Sequence, residues 1–488
     1  MSEIRYDIAW AVFHRICVLT DINEFEADMK TVECAINKYK FLTQSEKDYI
    51  IFQFSILVDK VNISNKKTEQ RECEICQNWT YAQQYCDYCI RNYLTDHFNN
   101  WSSGNIEIDE LIRECQLNTQ RPDYVVEWIP YKNFSDIKYK TKGGCSSIYN
   151  AIWKDGRYDT WDKQNRRLKR AGTEHVILKR LDHSNGLNKK WIIEIKSHLN
   201  FMNKISCVVR CHGITFDPNT QDFMLVLNLM EYSLREYLLQ NHKYILWEQK
   251  IRIIYDIAYA INMIHRLDTI HRDLHSGNVL QTRFSKWWYI SDFGLYGSVT
   301  QEQGDIYGNL PYIAPEIING KPATKESDIY SFAMLMWEIL SGIPPFQGRD
   351  HGSSLAYDIL EGIRPPIDKY TPYWYTKLMK QCWDANPKNR PKSSTILNEI
   401  RKQLRIIYQN ELENSKPIQI AINNNGNTEN QTYSPSTTLS KIYKFKDLPE
   451  PQNRIQDYDF NDDDFMRINE ILKLDSTDDD EFFDLFGE

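Results

Sequence analysis

Hydrophobic residues recur at helical spacing along the first 70 residues. Positions three or four apart share one face of a helix, so such stripes predict helices that each bury one side. The stripes comprise Ile8, Val12, Ile16 and Leu19, then Met29, Val32, Ala35 and Ile36, then Tyr49, Phe52, Ile56 and Val61. We predict that residues 1–70 form a helical region in which these stripes pack together. A helix face that binds a partner is the alternative.

The remainder of the chain changes its pattern twice. Residues 93–129 are predicted to be a helical linker, because Ile106, Leu111 and Ile112 follow a helical spacing. From residue 130 to residue 405, short apolar segments alternate with helical patterns, which indicates an α+β domain. Residues 409–488 are rich in Asn, Ser and acidic residues. This last segment has too little apolar surface to offset the entropy of ordering it, so we predict a disordered acidic tail.

Charge and composition limit the classes of function. The chain of 488 residues has a net charge of −8 and contains 41% hydrophobic residues. No apolar stretch reaches the roughly 18 to 20 residues that cross a bilayer, and charged residues near the start argue against an export signal. Residues 457–488 contain 13 acidic and two basic residues, so the negative charge is concentrated there. We therefore expect no membrane insertion, and nucleic acid is an unlikely partner.

Two pairs of cysteines at CxxC spacing indicate a metal site within residues 71–92. Each pair can present two thiolates from a tight turn, and four sulfur ligands suit a structural zinc ion. The residues are Cys73, Cys76, Cys86 and Cys89. Chance pairs of thiols or a redox pair are the alternatives. The chain has 11 cysteines, which favours a reducing compartment, and we expect a cytoplasmic or nuclear location.

Three motifs in the middle of the chain occur in a fixed order. They are His271-Arg272-Asp273-Leu274-His275-Ser276-Gly277-Asn278, then Asp292-Phe293-Gly294, then Ala314-Pro315-Glu316. This set resembles the protein kinase superfamily over residues 130–405. The resemblance implies a two-lobed fold with a β-rich N-lobe and a mainly helical C-lobe. It also implies transfer of the γ-phosphoryl group of ATP to a protein substrate, with Mg²⁺ as cofactor.

The resemblance assigns roles to individual residues. Asp273 is expected to accept the proton of the acceptor hydroxyl, while Asn278 and Asp292 are expected to bind Mg²⁺. Lys179 ends an apolar strand and resembles the lysine that holds the α- and β-phosphates. Glu194 is the candidate for its ion-pair partner.

The loop over the phosphates departs from the family pattern. Of three expected glycines only the second, Gly143, keeps its place, because Thr141 and Ser146 replace the other two. Loss of these glycines is expected to weaken nucleotide binding or to stiffen the loop. Together with the charged residues above, the resemblance implies that nucleotide contacts come from Lys142, Gly143, Gly144, Ile148, Ala151, Leu227 and Leu229.

Other motifs bear on specificity. Segments around Trp337 and Cys382 resemble the tyrosine-kinase-like group, which mostly modifies Ser or Thr, and the whole layout resembles an expanded set of fungal kinases. However, His275 and Asn309 stand where Ser/Thr kinases usually carry Lys and Thr. We expect Ser/Thr specificity. The alternative is a pseudokinase scaffold that binds nucleotide weakly or not at all.

Several residues of the large lobe are expected to support the site or its regulation. Glu316 and Arg390 resemble a buried ion pair, and Asp328 resembles the residue that braces the catalytic loop. Arg272 could pair with a phosphorylated residue of the activation segment. The candidate switch sites are Ser298, Thr300 and Tyr307.

Two charged segments suggest docking. Residues 163–170 contain five cations, which indicate a solvated hairpin tip, a nuclear import signal or a docking patch. The acidic residues 457–488 are expected either to fold back on this basic loop or to bind another protein.

Overall fold

The computed structural model describes residues 4–20, 29–66, 69–142, 146–181, 205–282, 285–292, 306–413, 440–445 and 448–454, together with residues 192, 195, 196, 198 and 199. The chain begins with three helices, which confirm the helical prediction for this part. Thr43 starts the third helix with a capping box, in which its side chain and that of Glu46 satisfy each other's backbone N–H groups. The helices are α1 (Tyr6–Thr20), α2 (Met29–Asn37) and α3 (Gln44–Asn65).

Helix α1 joins the N-terminal helices to the end of the kinase-like region. One of its faces buries Val12 and Ile16 against α2 and α3. Other contacts of this helix reach the kinase-like region. His14 Nε2 lies 2.9 Å from Asp256 Oδ1, Arg405 donates to the Val18 carbonyl at 2.9 Å, and the Val18 side chain is buried in the large core cluster of that region. The first two stripes therefore pack within the chain, as the first of the two sequence interpretations predicts. The third stripe was placed on the wrong face of α3, because Phe52 is 51% exposed and the buried residues are Ile50, Phe54 and Val58.

A small cysteine-containing unit follows α3. Strand β1 (Arg71–Glu72) pairs with β2 (Trp79–Thr80), and the helices α4 (Asp87–Asp96) and α5 (Ile106–Leu117) come next. Helix α5 confirms the helical pattern predicted from Ile106, Leu111 and Ile112 within the linker. Its residues Ile108, Leu111 and Ile112 are buried in one cluster with strands of the large sheet, so the unit packs against that sheet.

The large sheet has six strands in the order β3-β9-β10-β8-β5-β4. Strand β3 runs parallel to β9 and the other neighbours are antiparallel. Because β3 belongs to this sheet, the sheet begins before the predicted domain start at residue 130. The strands are β3 (Glu127–Trp128), β4 (Phe134–Lys142), β5 (Ser146–Trp153), β8 (Glu174–Leu181), β9 (Cys211–Asp217) and β10 (Asp222–Asn228).

The basic segment forms a hairpin between β5 and β8, as one of the sequence interpretations holds. Strand β6 (Tyr158–Asp162) pairs with β7 (Arg167–Arg170). Two of its cations form ion pairs: Lys169 with Asp162 of the same hairpin at 3.0 Å, and Arg170 with Glu127 of β3 at 2.6 Å. These pairs leave less of the positive charge for docking than the sequence suggested.

The second half of the domain is mainly helical. Its largest core cluster is built around the apolar helix α9, where Tyr330, Phe332 and Leu335 are buried. The helices are α6 (Leu234–Asn241), α7 (Trp247–Arg266), α8 (Pro315–Ile318), α9 (Lys325–Ser341), α10 (Ser353–Leu360), α11 (Tyr373–Cys382) and α12 (Ser393–Glu413). Short strands accompany them: β11 (Tyr232–Ser233), β12 (Val279–Gln281), β13 (Trp288–Ile290) and β14 (Ile306–Gly308).

The predicted disordered tail needs a correction. Helix α12 continues to Glu413, and β15 (Lys441–Tyr443) pairs with β14. The prediction was wrong for these residues because Ile442, Tyr443 and Phe445 form a short apolar motif within the polar composition on which it rested. Residues 457–488, including the hypothesis that they contact the basic loop, lie outside the described residues. Among the described helices none is long and apolar enough to span a membrane.

Candidate active site

The loop that carries Asp273 is held by the buried carboxylate of Asp328. Asp328 accepts hydrogen bonds from the backbone N–H groups of His271 at 2.8 Å and Arg272 at 2.9 Å. Arg272 has φ +74°, a conformation that non-glycine residues adopt only when their surroundings enforce it. The bracing role predicted for Asp328 is therefore confirmed.

Asp273 and Asn278 are connected directly. Asn278 Nδ2 donates to the Asp273 carbonyl at 2.8 Å, and the Asn278 carbonyl accepts from the Ser291 N–H at 2.8 Å. His271 Nε2 lies 2.9 Å from the Ser291 carbonyl. These contacts connect the Asp273 loop to Ser291, the residue before Asp292. They therefore fix the position of Asp273 relative to Asp292.

Lys179 reaches the same place from the large sheet. Its Nζ atom lies 2.6 Å from Asp292 Oδ1, across 113 positions of the chain. The lysine side chain is 6% exposed, whereas that of Asp292 is 44% exposed. Burial opposes ionisation of Asp292, but the charge and hydrogen bond of Lys179 outweigh it and lower the pKa of this carboxyl. Asp292 therefore presents an ionised carboxylate.

The predicted adenine contacts lie on adjacent strands beside Lys179. In the register of β5 and β8, Ile148 is opposite Lys179 and Ala151 is opposite Val176. Leu227, on β10, is opposite Ile177 and is buried. Leu229 follows the end of β10 and is 39% exposed. Ile148 and Leu227 share the sheet face that carries Lys179, and both belong to one apolar cluster. Ala151 lies on the opposite face, where it packs with Val176 and Leu178, so the structure does not bring this predicted adenine contact together with the others.

The described residues include only part of the predicted phosphate loop. Lys142 is the last residue of β4 and is exposed, opposite Ser147 of β5. Gly143, Gly144 and Glu194, as well as Ser298 and Thr300, lie outside the described residues. Tyr307 is in β14. The predicted roles of these residues stay predictions.

His275 occupies the position that departs from the Ser/Thr pattern. Its Nδ1 accepts from the Gly277 N–H at 3.1 Å, and its Nε2 lies 3.8 Å from Asp273 Oδ2. Burial lowers the pKa of His275, although the charge of Asp273 works against that shift. A neutral ring whose Nδ1 accepts a hydrogen bond carries its proton on Nε2, so His275 directs an N–H group toward the Asp273 side.

The sequence interpretation missed a buried polar network below this loop. Arg235 donates to Tyr312 Oη at 2.7 Å and to Ser276 Oγ at 3.0 Å, and it pairs with Glu338 at 2.9 Å. Asn309, which precedes Tyr312 in the sequence and departs from the Ser/Thr pattern, is also buried. An acidic residue, Glu338, inside the otherwise apolar residues 333–339 was a signal that could have revealed the network.

The four cysteines of the CxxC pairs come together. Cys73 Sγ lies 3.7 Å from Cys89 Sγ, and Cys76 Sγ lies 3.6 Å from Cys86 Sγ. All four sulfur atoms are within 4.8 Å of one another. These separations are far longer than a disulfide bond of about 2.05 Å. They are close to the roughly 3.8 Å between ligands of a tetrahedral centre whose metal–sulfur bonds are about 2.3 Å.

Comparison with known proteins decides the family. Residues 141–400, more than half of the chain, match the protein tyrosine and serine/threonine kinase family. The chain belongs to this family. The match and the names of the relatives below support the expected protein kinase function and do not favour the pseudokinase alternative.

Relatives of this kinase occur in Dictyostelium discoideum and Mus musculus. It is 31% identical to dual specificity protein kinase zakA of Dictyostelium discoideum, over 48% of this chain and 32% of that protein. It is 29% identical to the probable serine/threonine-protein kinase gdt4 of the same organism, over 57% of this chain and 16% of that protein. It is 32% identical to ankyrin repeat and protein kinase domain-containing protein 1 of Mus musculus, over 38% of this chain and 27% of that protein. The chain thus spans a third or less of the length of these relatives.

Proposed function

We propose that the protein transfers the γ-phosphoryl group of ATP to Ser or Thr residues of protein substrates, as a member of the tyrosine-kinase-like group with a two-lobed catalytic domain. The observation that carries this proposal is the contact of 2.6 Å between Lys179 and Asp292 beside the Asp273 loop. The contact joins the cation to the proposed metal-binding carboxylate, and the Asn278 and Ser291 hydrogen bonds connect that segment to the loop of the base Asp273. A scaffold would not need all three groups together.

The donor set fits Mg²⁺, which prefers oxygen ligands. Asp292 offers a partly exposed carboxylate, and Asn278 offers a side-chain amide oxygen, since its nitrogen donates to the Asp273 carbonyl. When bound, the metal ion would neutralise charge on the phosphates. Lys179 would hold the α- and β-phosphates, and the apolar residues Ile148, Leu227 and Leu229 would contact adenine.

Asp273 would act on the acceptor side. Its carboxylate is about 10% exposed, so an acceptor hydroxyl can approach it while bulk water has little access. Asp273 would accept the proton of that hydroxyl as the new P–O bond forms. His275, with an N–H group on the same side, is proposed to replace the usual lysine in orienting the hydroxyl, which keeps Ser/Thr specificity compatible with this unusual position.

The proposal is tested by incubating the purified full-length protein with Mg-ATP and a general protein substrate such as myelin basic protein. We expect phosphoserine or phosphothreonine by mass spectrometry, and its loss in Asp273→Asn. Nucleotide binding without transfer in either protein, under conditions that include candidate activators, would instead favour the scaffold. Phosphotyrosine alone would contradict the Ser/Thr assignment.

We further propose that Cys73, Cys76, Cys86 and Cys89 bind one structural zinc ion. The near-tetrahedral sulfur separations support it, and four thiolates would leave no open position for catalysis.

We also propose that another protein docks on residues 457–488. Affinity capture with that segment, compared with a version in which its acidic residues are neutralised, tests this proposal. A cytoplasmic or nuclear location is proposed as well, and imaging of the tagged protein would test it.

A further inference from the structure

A segment from the far end of the chain lies beside the catalytic loop. Strand β15 runs antiparallel to β14, with Lys441 opposite Gly308, Ile442 opposite Tyr307 and Tyr443 opposite Ile306. Main-chain pairing of this kind is a common way for proteins to hold an extended peptide. Residues 440–445 and 448–454 are called the C-terminal strap below.

Gly308 of β14 lies beside the base. This glycine has φ +141°, and a Cβ atom added to it would lie 3.4 Å from Asp273 Oδ1 and 3.2 Å from the Ile313 side chain. The contact with Asp273 would be an ordinary one, but this φ is strained for any residue other than glycine. A glycine is therefore favoured where β14 pairs with Lys441 of the strap.

The first residue of the strap is a serine whose hydroxyl contacts the base. Ser440 Oγ lies 2.8 Å from Asp273 Oδ1 and 3.2 Å from His275 Nε2. Because His275 Nδ1 accepts from Gly277, its Nε2 is the protonated nitrogen and donates to Ser440 Oγ. The serine proton is then directed at Asp273. This is the hydrogen-bond geometry that general-base catalysis requires of an acceptor hydroxyl.

The strap is anchored at points well away from the base. Tyr443 is 7% exposed, and its ring stacks on Phe445 with centroids 5.6 Å apart. Further along, the Gln452 N–H donates to the Leu360 carbonyl at 2.9 Å, and Asn453 Oδ1 accepts from the Ala385 N–H at 2.8 Å. These contacts fix the strap along the helical part of the domain, so the position of Ser440 does not depend on its own hydrogen bonds alone.

The same chain is long enough to deliver the strap. Helix α12 ends at Glu413, and the residues from there to Ser440 could span roughly 90 Å if extended. That reach exceeds the dimensions of a single kinase domain. An intramolecular arrangement is therefore sterically undemanding.

We propose that the C-terminal strap is an intramolecular substrate of this kinase and that Ser440 is its phosphorylation site. The inference rests on the proposed function. Ser440 Oγ forms a bond to the γ-phosphorus of ATP, the bond from that phosphorus to the β–γ bridging oxygen breaks, and ADP leaves with that electron pair. The hydroxyl proton passes to Asp273 Oδ1. Until then the strap excludes other protein substrates from the same place.

The strap also indicates a substrate preference. The third residue after the acceptor, Tyr443, is buried, whereas the second, Ile442, is 60% exposed. Burying a large aromatic side chain contributes enough free energy to change an affinity by about tenfold or more. Substrates of this site would therefore carry a serine followed at the third position by an aromatic residue.

The test follows Ser440 phosphorylation in the full-length protein by quantitative mass spectrometry after addition of Mg-ATP, at protein concentrations that differ by about 100-fold. Phosphorylation within one molecule predicts the same rate constant at every concentration. A rate constant that rises in proportion to concentration would overturn the intramolecular assignment. Asp273→Asn should show no phosphorylation of Ser440.

Two substitutions in β15 test whether burial of Tyr443 holds the strap in place. We expect Tyr443→Ala to slow Ser440 phosphorylation about tenfold and the matched variant Ile442→Ala to change it less than about twofold. Equal effects of the two variants would contradict the role of Tyr443. Phosphorylation of myelin basic protein is measured in parallel: if that reaction proceeds while Ser440 stays unmodified, the strap inference fails and the proposed function survives. If neither reaction occurs, even in Tyr443→Ala, in which the strap is less firmly held over the site, the proposed function itself fails.

Discussion

Arg390 holds Glu316 through two parallel hydrogen bonds of 2.7 Å, one from each terminal guanidinium nitrogen. Both residues are buried. Arg390 also donates to the backbone carbonyls of Asp384 and Glu326, at 2.8 and 2.9 Å, so most of its donor groups are satisfied. The pair connects the start of α8 with the segment before α12 and confirms the buried ion pair predicted from the sequence.

Replacing Arg390 by Ala should lower the free energy of unfolding by about 3 to 5 kcal/mol, because the carboxylate of Glu316 would remain buried without a counter-charge. Chemical denaturation monitored by tryptophan fluorescence measures the change. The control is Lys325→Ala, which breaks the exposed pair of Lys325 with Asp268 and should cost less than about 1 kcal/mol. Equal losses in the two variants would show that Arg390 acts through something other than its buried pair.

Lys179→Met should reduce the phosphoryl-transfer rate on the order of a hundredfold or more, because it removes the cation that contacts Asp292 and is proposed to hold the phosphates. Without Lys179, burial would also raise the pKa of Asp292, which weakens Mg²⁺ binding. Calorimetry with Mg-ATP and a steady-state assay measure the two effects.

Lys138→Met is the matched control for Lys179. Lys138 lies on β4 of the same sheet, but its side chain is 71% exposed and pairs with the exposed Asp136. This variant should keep both its nucleotide affinity and its rate within about twofold of the wild type. A comparable loss in both lysine variants would indicate a general disturbance of the sheet.

The sequence motifs correctly predicted those site residues whose positions are set by hydrogen bonds within short segments of the chain. Asp273, Asn278 and Asp292 belong to short segments whose residue order determines which backbone groups they can reach, so their contacts with one another followed from the sequence. The cysteine pairs converge for the same reason, since each CxxC turn places its two thiols together. In contrast, the positions of β3 and β15 depend on pairing with strands far away in the sequence, and two or three residues carry little periodicity.

The strap shows why composition was misleading. Its anchor residues Tyr443 and Asn453 occur in a segment that is polar on average, and each makes one specific contact with a distant part of the fold. Average hydrophobicity measures whether a segment can form its own core. It does not report whether the segment fits a groove that other residues have already built, which here includes strand β14 with Gly308.

Stability should fall on acidification because buried histidines stay neutral in the folded protein. Burial, the main cause, lowers the pKa of His198 to about 4 and that of His212 to about 3. In the unfolded chain both bind a proton below about pH 6.5, so that state gains protons that the native state does not take up. Each residue should therefore reduce the free energy of unfolding by about 2 kcal/mol between pH 8 and pH 5.

Denaturation curves over that pH range measure this dependence. His212→Asn should make the decrease in the free energy of unfolding between pH 8 and pH 5 smaller by about 2 kcal/mol, whatever its effect on the stability at pH 8. His175, an exposed residue of the same sheet, supplies the control, because His175→Asn should leave the slope unchanged. Stability that rises on acidification, or a slope that His212→Asn does not alter, would contradict the explanation.

The cysteine cluster predicts about one zinc ion per chain in protein purified without chelators, measured by mass spectrometry of the metal content. Cys73→Ser and Cys86→Ser should each remove most of the zinc, because a hydroxyl replaces one of four thiolate ligands.

The free energy of zinc binding is coupled to folding in small cysteine modules, so protease cleavage within residues 71–92 should become faster in these variants. Cys34→Ser should retain the metal and the protease resistance, since Cys34 is an exposed cysteine of α2 and is remote in sequence from the cluster. Zinc retained in full by both ligand variants would exclude the four-thiolate site.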